Sequence, residues 1–324
     1  MNRPQLGVQI PCTLPAARTT DLARAVESAG FDEVWLVEDC FFTGGIATSA
    51  MALAATERVR VGIGILPAVA RNAAFTAMEL AALAQAHPGR LTAGLGHGVG
   101  AWMRQIGAAP ASPLTALGEH LDAVRRLLAG EEVTVQGRYV RLDAVRLDLV
   151  PEQPPLVLAG VRGPKSLEVS GRYADGTLLA EPVSRAYLTA ARASIQRGQG
   201  VDTRPHPVTV YTFFHTDDDP VRARDALRPK LAAAVANPAW AAHLEPLGLG
   251  ERLTEVAALP EEQRGAAIPD SWIDELAVVG TIEDCARQIA GLHAAGAHSV
   301  VLTPIGDTVE QLRRAAPLNR ILAG

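Results

Sequence analysis

The chain has 324 residues, 48% of them hydrophobic, and a formal net charge of −5. That is enough apolar material for one large barrel or two ordinary domains, and the acidic balance without a basic run argues against a nucleic-acid partner. The longest apolar runs, such as 59–70, are broken by Arg60, glycines and Pro67, well short of the ~20 residues that span a membrane, and residues 1–10 carry no secretory h-region, so a cytoplasmic protein acting on a small molecule is expected.

Short β-rich runs alternate with longer segments whose apolar residues recur at helical spacing, the order that calls for a parallel sheet. The first strand is predicted at 5–10 and its helix at 19–29, stopped by Gly30. A second strand at 33–38 runs into Glu38, Asp39, Cys40, Phe41 and Phe42 before a helix at 46–56. Two carboxylates beside an aromatic wall suit a solvated turn as well as they suit a site. The third strand, 59–66, holds Ile63, Gly64 and Ile65, and a helix at 73–86 follows. The fourth, 91–96, passes into a run from Gly94 to Gly100 whose alternate glycines would let backbone amides approach a planar or anionic ligand. A dinucleotide-binding reading of that run is poor, because it follows the fourth strand and no acidic residue ends the next one. His97, flanked by Gly96 and Gly98, is better suited to ligand contact than to acid–base work.

After a helix at 115–129, residues 133–142 have the pattern of a hairpin turning at Gln136 and Gly137. The fifth strand, 156–160, leads through Gly160, Val161, Arg162, Gly163, Pro164 and Lys165 into a helix at 164–173. Free amides at a helix N-terminus beside Arg and Lys make a phosphate site, and Pro164 sits in the first turn, where its missing N–H costs nothing. A basic turn that merely caps the helix is the plainer alternative. The sixth strand, 177–180, precedes Glu181, either a substrate-polarising carboxylate or a solvated one. A helix at 184–197, a seventh strand at 208–214 and a helix at 220–236 come next, then a Pro-interrupted insertion at 237–276. Thr281, with Glu283 and Asp284 in the first turn, opens a helix over 281–294, and Gly296 stops it before the eighth strand at 298–303. Eight strands is the number that closes a (β/α)8 barrel, with the hairpin and the insertion as decorations on one domain over 1–324. A doubly wound open sheet is the structural alternative.

Cys12, Cys40 and Cys285 are odd in number and far apart, which fits reduced thiols and no structural metal. His206 and His215 with Asp217, Asp218 and Asp219 match no common metal spacing. A GxSxG nucleophile elbow is missing, and neither Lys165 nor Lys230 lies in a strand, as a Schiff-base aldolase would require.

Four segments in order carry a resemblance: VWLVED at 34–39; residues 61–98, which begin VGIGILPAVARN and end LTAGLGHG; residues 154–179 around LVLAGVRGPK; and 278–302 around VVGTIEDC. Together they resemble the luciferase-like family of flavin-dependent oxidoreductases, which includes bacterial luciferase, methylenetetrahydromethanopterin reductase and deazaflavin-using glucose-6-phosphate dehydrogenases. The likeness implies a TIM barrel with an insertion, usually a homodimer, holding coenzyme F420 or alternatively FMN across its strand ends. It lays the cofactor phosphate on Gly160, Val161, Arg162, Gly163, Pro164 and Lys165. It puts Asp39, Gly96, His97 and Gly98 against the ring system or side chain and Ile63, Gly64 and Ile65 under it, with a non-prolyl cis peptide at Ile63–Gly64 or Gly64–Ile65. Cys40 stands where some dehydrogenase relatives have His, and Val99 where they have Glu, so the usual acid–base pair is missing and His97, Glu181 and Cys40 are the candidate catalytic residues. The implied activity is hydride transfer between F420 and a small organic substrate. An FMN-dependent monooxygenase and a cofactor-binding barrel without turnover are the alternatives.

Overall fold

The computed structural model describes residues 3–323. Eleven strands occur among them: β1 (Gln5–Ile10), β2 (Glu33–Leu36), β3 (Arg60–Pro67), β4 (Leu91–Gly96), β5 (Val133–Gln136), β6 (Arg141–Val145), β7 (Leu156–Gly160), β8 (Gly176–Leu179), β9 (Val208–Thr216), β10 (Ala277–Gly280) and β11 (Ser299–Pro304). Nine form one sheet in the order β10-β9-β11-β1-β2-β3-β4-β7-β8, and a further pairing of β8 with β9 closes eight of them into a barrel. All pairings of this sheet are parallel. The expected (β/α)8 barrel is thus present, and the open-sheet alternative is not.

Sequence reasoning overlooked β10. It pairs with Phe213 to Thr216 of β9, on the edge that β8 occupies lower down at Val208 to Val210. With four residues, a glycine at its end and a helix on either side, it offers too short a run to register as a strand. The β5–β6 pair is antiparallel and stands apart from the barrel. The segment after Asn237 is helical almost throughout, and its apolar residues, including Val256, Trp272 and Ile273, form a cluster with Leu227 and Leu231 of helix Pro220–Ala236.

Inside the barrel, residues two apart on each strand share a face and stack in layers. The layer at the strand N-termini is polar: the carboxylate of Glu33 accepts from Trp35 Nε1 (2.9 Å), Ser299 Oγ (2.6 Å) and Arg60 Nη2 (2.6 Å). Above it Trp35, Leu158, Leu178, Tyr211 and Val301 fill the centre, Trp35 meeting Tyr211 edge-on at 5.6 Å. Room for the indole comes from Gly62, where any Cβ would collide with it. Helix caps follow the sequence signals: Thr281 and Asp284 form a capping box, Asn72 caps helix Ala73–Ala86, and Gly30 and Gly296 take positive φ after their helices. No helix among the described residues is long and apolar enough to cross a membrane.

Candidate functional site

Because each helix runs back antiparallel to the strand before it, helix N-termini gather at the C-terminal end of the barrel, and their amides make that end the place for anions. The most open of them follows β7. Helix Pro164–Tyr173 starts at Gly163, whose backbone is extended and whose position lacks a side-chain cap. A Cβ added there would meet nothing within 4 Å, so the space in front of the helix is clear. Pro164 fills the first turn, exposed Lys165 is adjacent, and Ser166 accepts or donates a 2.9 Å hydrogen bond with His97 Nε2. Burial lowers the pKa of His97, partly offset by the Pro113 backbone, so its imidazole is neutral at pH 7.

The other loop residues are more engaged. Val161 donates its amide to Leu178 (3.3 Å) and buries its side chain in the core. Arg162 turns its guanidinium away from the helix start and onto the Trp240 ring, 4.2 Å from the centroid, and donates to the Ala239 carbonyl at 3.2 Å. Beside it, the Tyr187 hydroxyl donates to the Arg162 carbonyl (2.8 Å), and His243 stacks on Tyr187 at 4.1 Å while its Nδ1 bonds the Pro182 carbonyl (2.8 Å). Trp240 and His243 therefore fasten the start of the insertion to the rim after β7 and β8. Sequence patterning missed this, since neither residue belongs to a strand end.

Across the mouth, the floor comes from β3. Its register with β4 shifts between Ile63 and Leu66, and the Gly64–Ile65 peptide is cis, as the resemblance implied for this bulge. Ile63 faces outward, against Gly45 of the preceding helix, so of these three residues Gly64 and Ile65 reach the interior. Here the expectation for the glycines changes. The space left by Gly94, Gly96 and Gly160 is filled by the Ile65 side chain, which would clash with a Cβ at each. These glycines admit an apolar platform at the centre of the mouth rather than exposing their own amides to a ligand. Gly98 has φ +67 and packs against Pro67 and Met103, a backbone requirement rather than ligand clearance.

The two carboxylates after β2 separate cleanly. Glu38 accepts both Arg71 Nη atoms (2.6 and 2.7 Å) and the Gly45 amide (2.7 Å), which makes it a brace between β2 and the segment after β3. Asp39 meets only the Cys12 thiol at 3.8 Å, and burial raises its pKa. The same burial, with the Asp39 charge, pushes the Cys12 thiol up to about 11. Cys40 is half-buried and its thiol is also raised, first by burial and then by Glu38 and Asp39. Both thiols are protonated at neutral pH, which suits them to lining and not to nucleophilic attack. Glu181 follows β8 and is joined to Pro182 by a cis peptide. Burial raises its pKa, opposed by Lys230 and Arg162 and reinforced by Asp39, so those four side chains share one electrostatic environment at the mouth. Lys230, the second of the chain's two lysines, lies 5.4 Å from the centre of the Phe213 ring.

A cavity of about 720 Å³ lies at the opposite end of the barrel, among Leu156, Ala174, His206, Val208 and His298. Its His206 already shares a 2.8 Å hydrogen bond with Thr177, and its walls come from strand N-termini, away from every helix start of the barrel's βα units. Size alone does not make it the site; the open helix start and the Ile65 platform are at the other end.

The sequence pattern that defines the luciferase-like monooxygenase family matches residues 2–299. The chain belongs to that family. A curated relative, the 5,10-methylenetetrahydromethanopterin reductase of Methanolobus tindarius, is 27% identical over 313 residues, covering 94% of this chain and 96% of that one. The F420-dependent glucose-6-phosphate dehydrogenase of Nakamurella multipartita is 28% identical over 244 residues, 67% of this chain and 71% of that one. Among solved structures, the coenzyme F420-dependent tetrahydromethanopterin reductase of Methanopyrus kandleri superposes with a TM-score of 0.84 at 22% identity, covering 98% of both chains. This luciferase-like barrel is accordingly an enzyme of the oxidoreductase class.

Proposed function

We propose that the protein transfers hydride between coenzyme F420 and a small organic substrate at the C-terminal mouth of its barrel. The observation that carries this reading is the uncapped start of helix Pro164–Tyr173, with clear space before Gly163 and Lys165 at its side, facing a mouth floored by Ile65. The naming of a similar reductase and a similar dehydrogenase for F420 supports the deazaflavin over FMN.

The residues present fit such a group. The amides around Gly163 and Lys165, reinforced by the helix dipole and the Lys165 ammonium, would hold its phosphate. His97 ties Ser166 to the strand-four loop and so fixes the first turn of that helix. Ile65, filling the interior over Gly94, Gly96 and Gly160, gives a tricyclic ring a dry apolar surface. When bound, F420 supplies a ring carbon that gives or takes hydride. Asp39 and Glu181, whose carboxyl pKa values burial raises, stand at the mouth as groups that can take up or give a proton near the reacting centre. Arg162 with Trp240, and His243 with Tyr187, hold the insertion over one side and restrict water. Positioning and dryness then account for most of the rate.

Titration with F420 and separately with FMN, followed by oxygen uptake on the reduced protein, tests this. F420 binding without oxygen uptake is expected; FMN-dependent uptake would make the protein a monooxygenase. We further propose a homodimer paired through helix Ala73–Ala86, where Phe75 and Met78 are 62% and 52% exposed. Phe75→Glu should convert a dimer to a monomer in sedimentation analysis, and an unchanged mass would reject this face.

A further inference from the structure

The strand alternation that fills the barrel centre also fixes which side chains point inward one layer higher. On β11, Ser299 reaches Glu33 and Val301 packs with Trp35 and Tyr211, so Thr303 is the next inward position toward the mouth. On β1, the Cβ direction of Gly7 meets Val301, Glu33 and Trp35, so Gln9 is the next inward position there. The two strands are neighbours, with Val8 in register with Leu302, and this brings Gln9 and Thr303 side by side in the top layer.

Both are almost wholly buried, Gln9 at 8% and Thr303 at 7% exposure. Thr303 Oγ1 is without a hydrogen-bond partner, and the Gln9 amide makes no side-chain hydrogen bond to any described residue. The next layer down repeats the pattern, where the Tyr211 hydroxyl is buried without a partner beneath Gly64. An unpaired buried hydroxyl is costly in an interior that Leu, Val and Trp otherwise fill, and Thr303 Oγ1, next to the Gln9 amide at the mouth end of the barrel, calls for a polar atom arriving from outside.

We propose that Gln9 and Thr303 bind an uncharged oxygen of the substrate, a carbonyl or a hydroxyl, on the β11–β1 side of the floor. An amide and a hydroxyl together offer donors and acceptors without net charge, which suits a neutral oxygen. The titratable groups beside Gln9 are Asp39 and Cys12, so an anion placed there would face the Asp39 carboxyl, while Lys230, near the Phe213 that is in register with Thr303, shares the environment of Glu181. The cations Arg162, Lys165 and Lys230 belong to the β7–β9 side, with Glu181 among them. One wall thus takes the phosphate and the opposite one the neutral function to be reduced or oxidised. The assignment rests on the F420 reading for its chemistry, but not for its binding test.

Cyclohexanone binding, measured by saturation-transfer NMR on the purified protein with and without F420, is the test. Gln9→Met and Thr303→Val keep side-chain volume, so both should fold with melting temperatures at or above wild type. Each should weaken cyclohexanone binding about five- to tenfold, the value of one neutral hydrogen bond, with F420 affinity unchanged. The proposal is overturned if wild type does not bind the probe, if both variants bind it as wild type does, or if they only become more stable, which would mean that water alone occupies the pair. Failure of F420 to bind while the ketone result holds would remove the hydride-transfer reading and leave this site standing.

Discussion

On the β2–β4 side of the mouth Glu38 finds its partners within the chain, whereas on the β7–β9 side a helix start and two lysines are left open. Glu38 accepts from Arg71 and from the Gly45 amide, Asn72 caps its helix, and Gly98 folds onto Met103. Across the barrel, Gly163 begins a helix with no cap, and Lys165, Glu181 and Lys230 make no ion pair with one another. Motif residues of equal prominence in the sequence thus divide into scaffold and site. What separates them is whether a bonding partner is already in the chain.

The scaffold side should break in stability. Gly64→Ala would drive a Cβ into the Tyr211 hydroxyl and is expected to cost ~2–4 kcal/mol in thermal or urea melts. Adding Tyr211→Phe should restore part of that loss, and no restoration would show that the clash is not the cause. The open side should break in binding instead. Lys165→Ala is expected to weaken F420 by about 1.5–3 kcal/mol, the value of a hydrogen bond to a charged group, in a fluorescence titration. The melting temperature should stay put, because Lys165 is exposed.

Between the two lies the insertion. Trp240→Ala removes the ring under Arg162 and should cost ~1 kcal/mol, seen as faster proteolysis within 237–249 while the barrel stays resistant. The smallest effect is electrostatic. Burial holds the Asp39 pKa above its unfolded value, so the folded state keeps a proton that the unfolded state has lost, and stability falls as pH rises through the folded pKa. Asp39→Asn cannot ionise and should match wild type near pH 3 but exceed it at pH 7 by less than about 1 kcal/mol, since Asp39 still reaches solvent. A gain that is larger at pH 3 would reverse the sign of this account.

Much of the fold was legible because it rests on local periodicity and on punctuation. Thr281, Gly30 and Gly296 mark helix ends by chemistry that acts within a few residues, and each of the eight barrel strands has a distinct apolar run. β10 was not legible, because four residues paired to the far end of β9 carry no pattern of their own. The candidate site was legible only where it is contiguous. The loop from Gly160 to Lys165 shows its amides and cations in sequence, but the Arg162 side chain is claimed by Trp240, far along the chain. Likewise, nothing near Gly94, Gly96 or Gly160 signals that Ile65 would occupy the room they leave, since that depends on how β3 bulges in three dimensions.

The most direct test of the phosphate site is the affinity of F420 for Gly163→Asp beside wild type. An aspartate at this extended, unobstructed position caps the helix and should hold or raise the melting temperature by a few tenths of a kcal/mol in stability. The same carboxylate occupies the anion site and repels a phosphate, so F420 binding is expected to weaken more than about tenfold. Unchanged F420 affinity in a well-folded Gly163→Asp protein would contradict the placement of the cofactor at this helix.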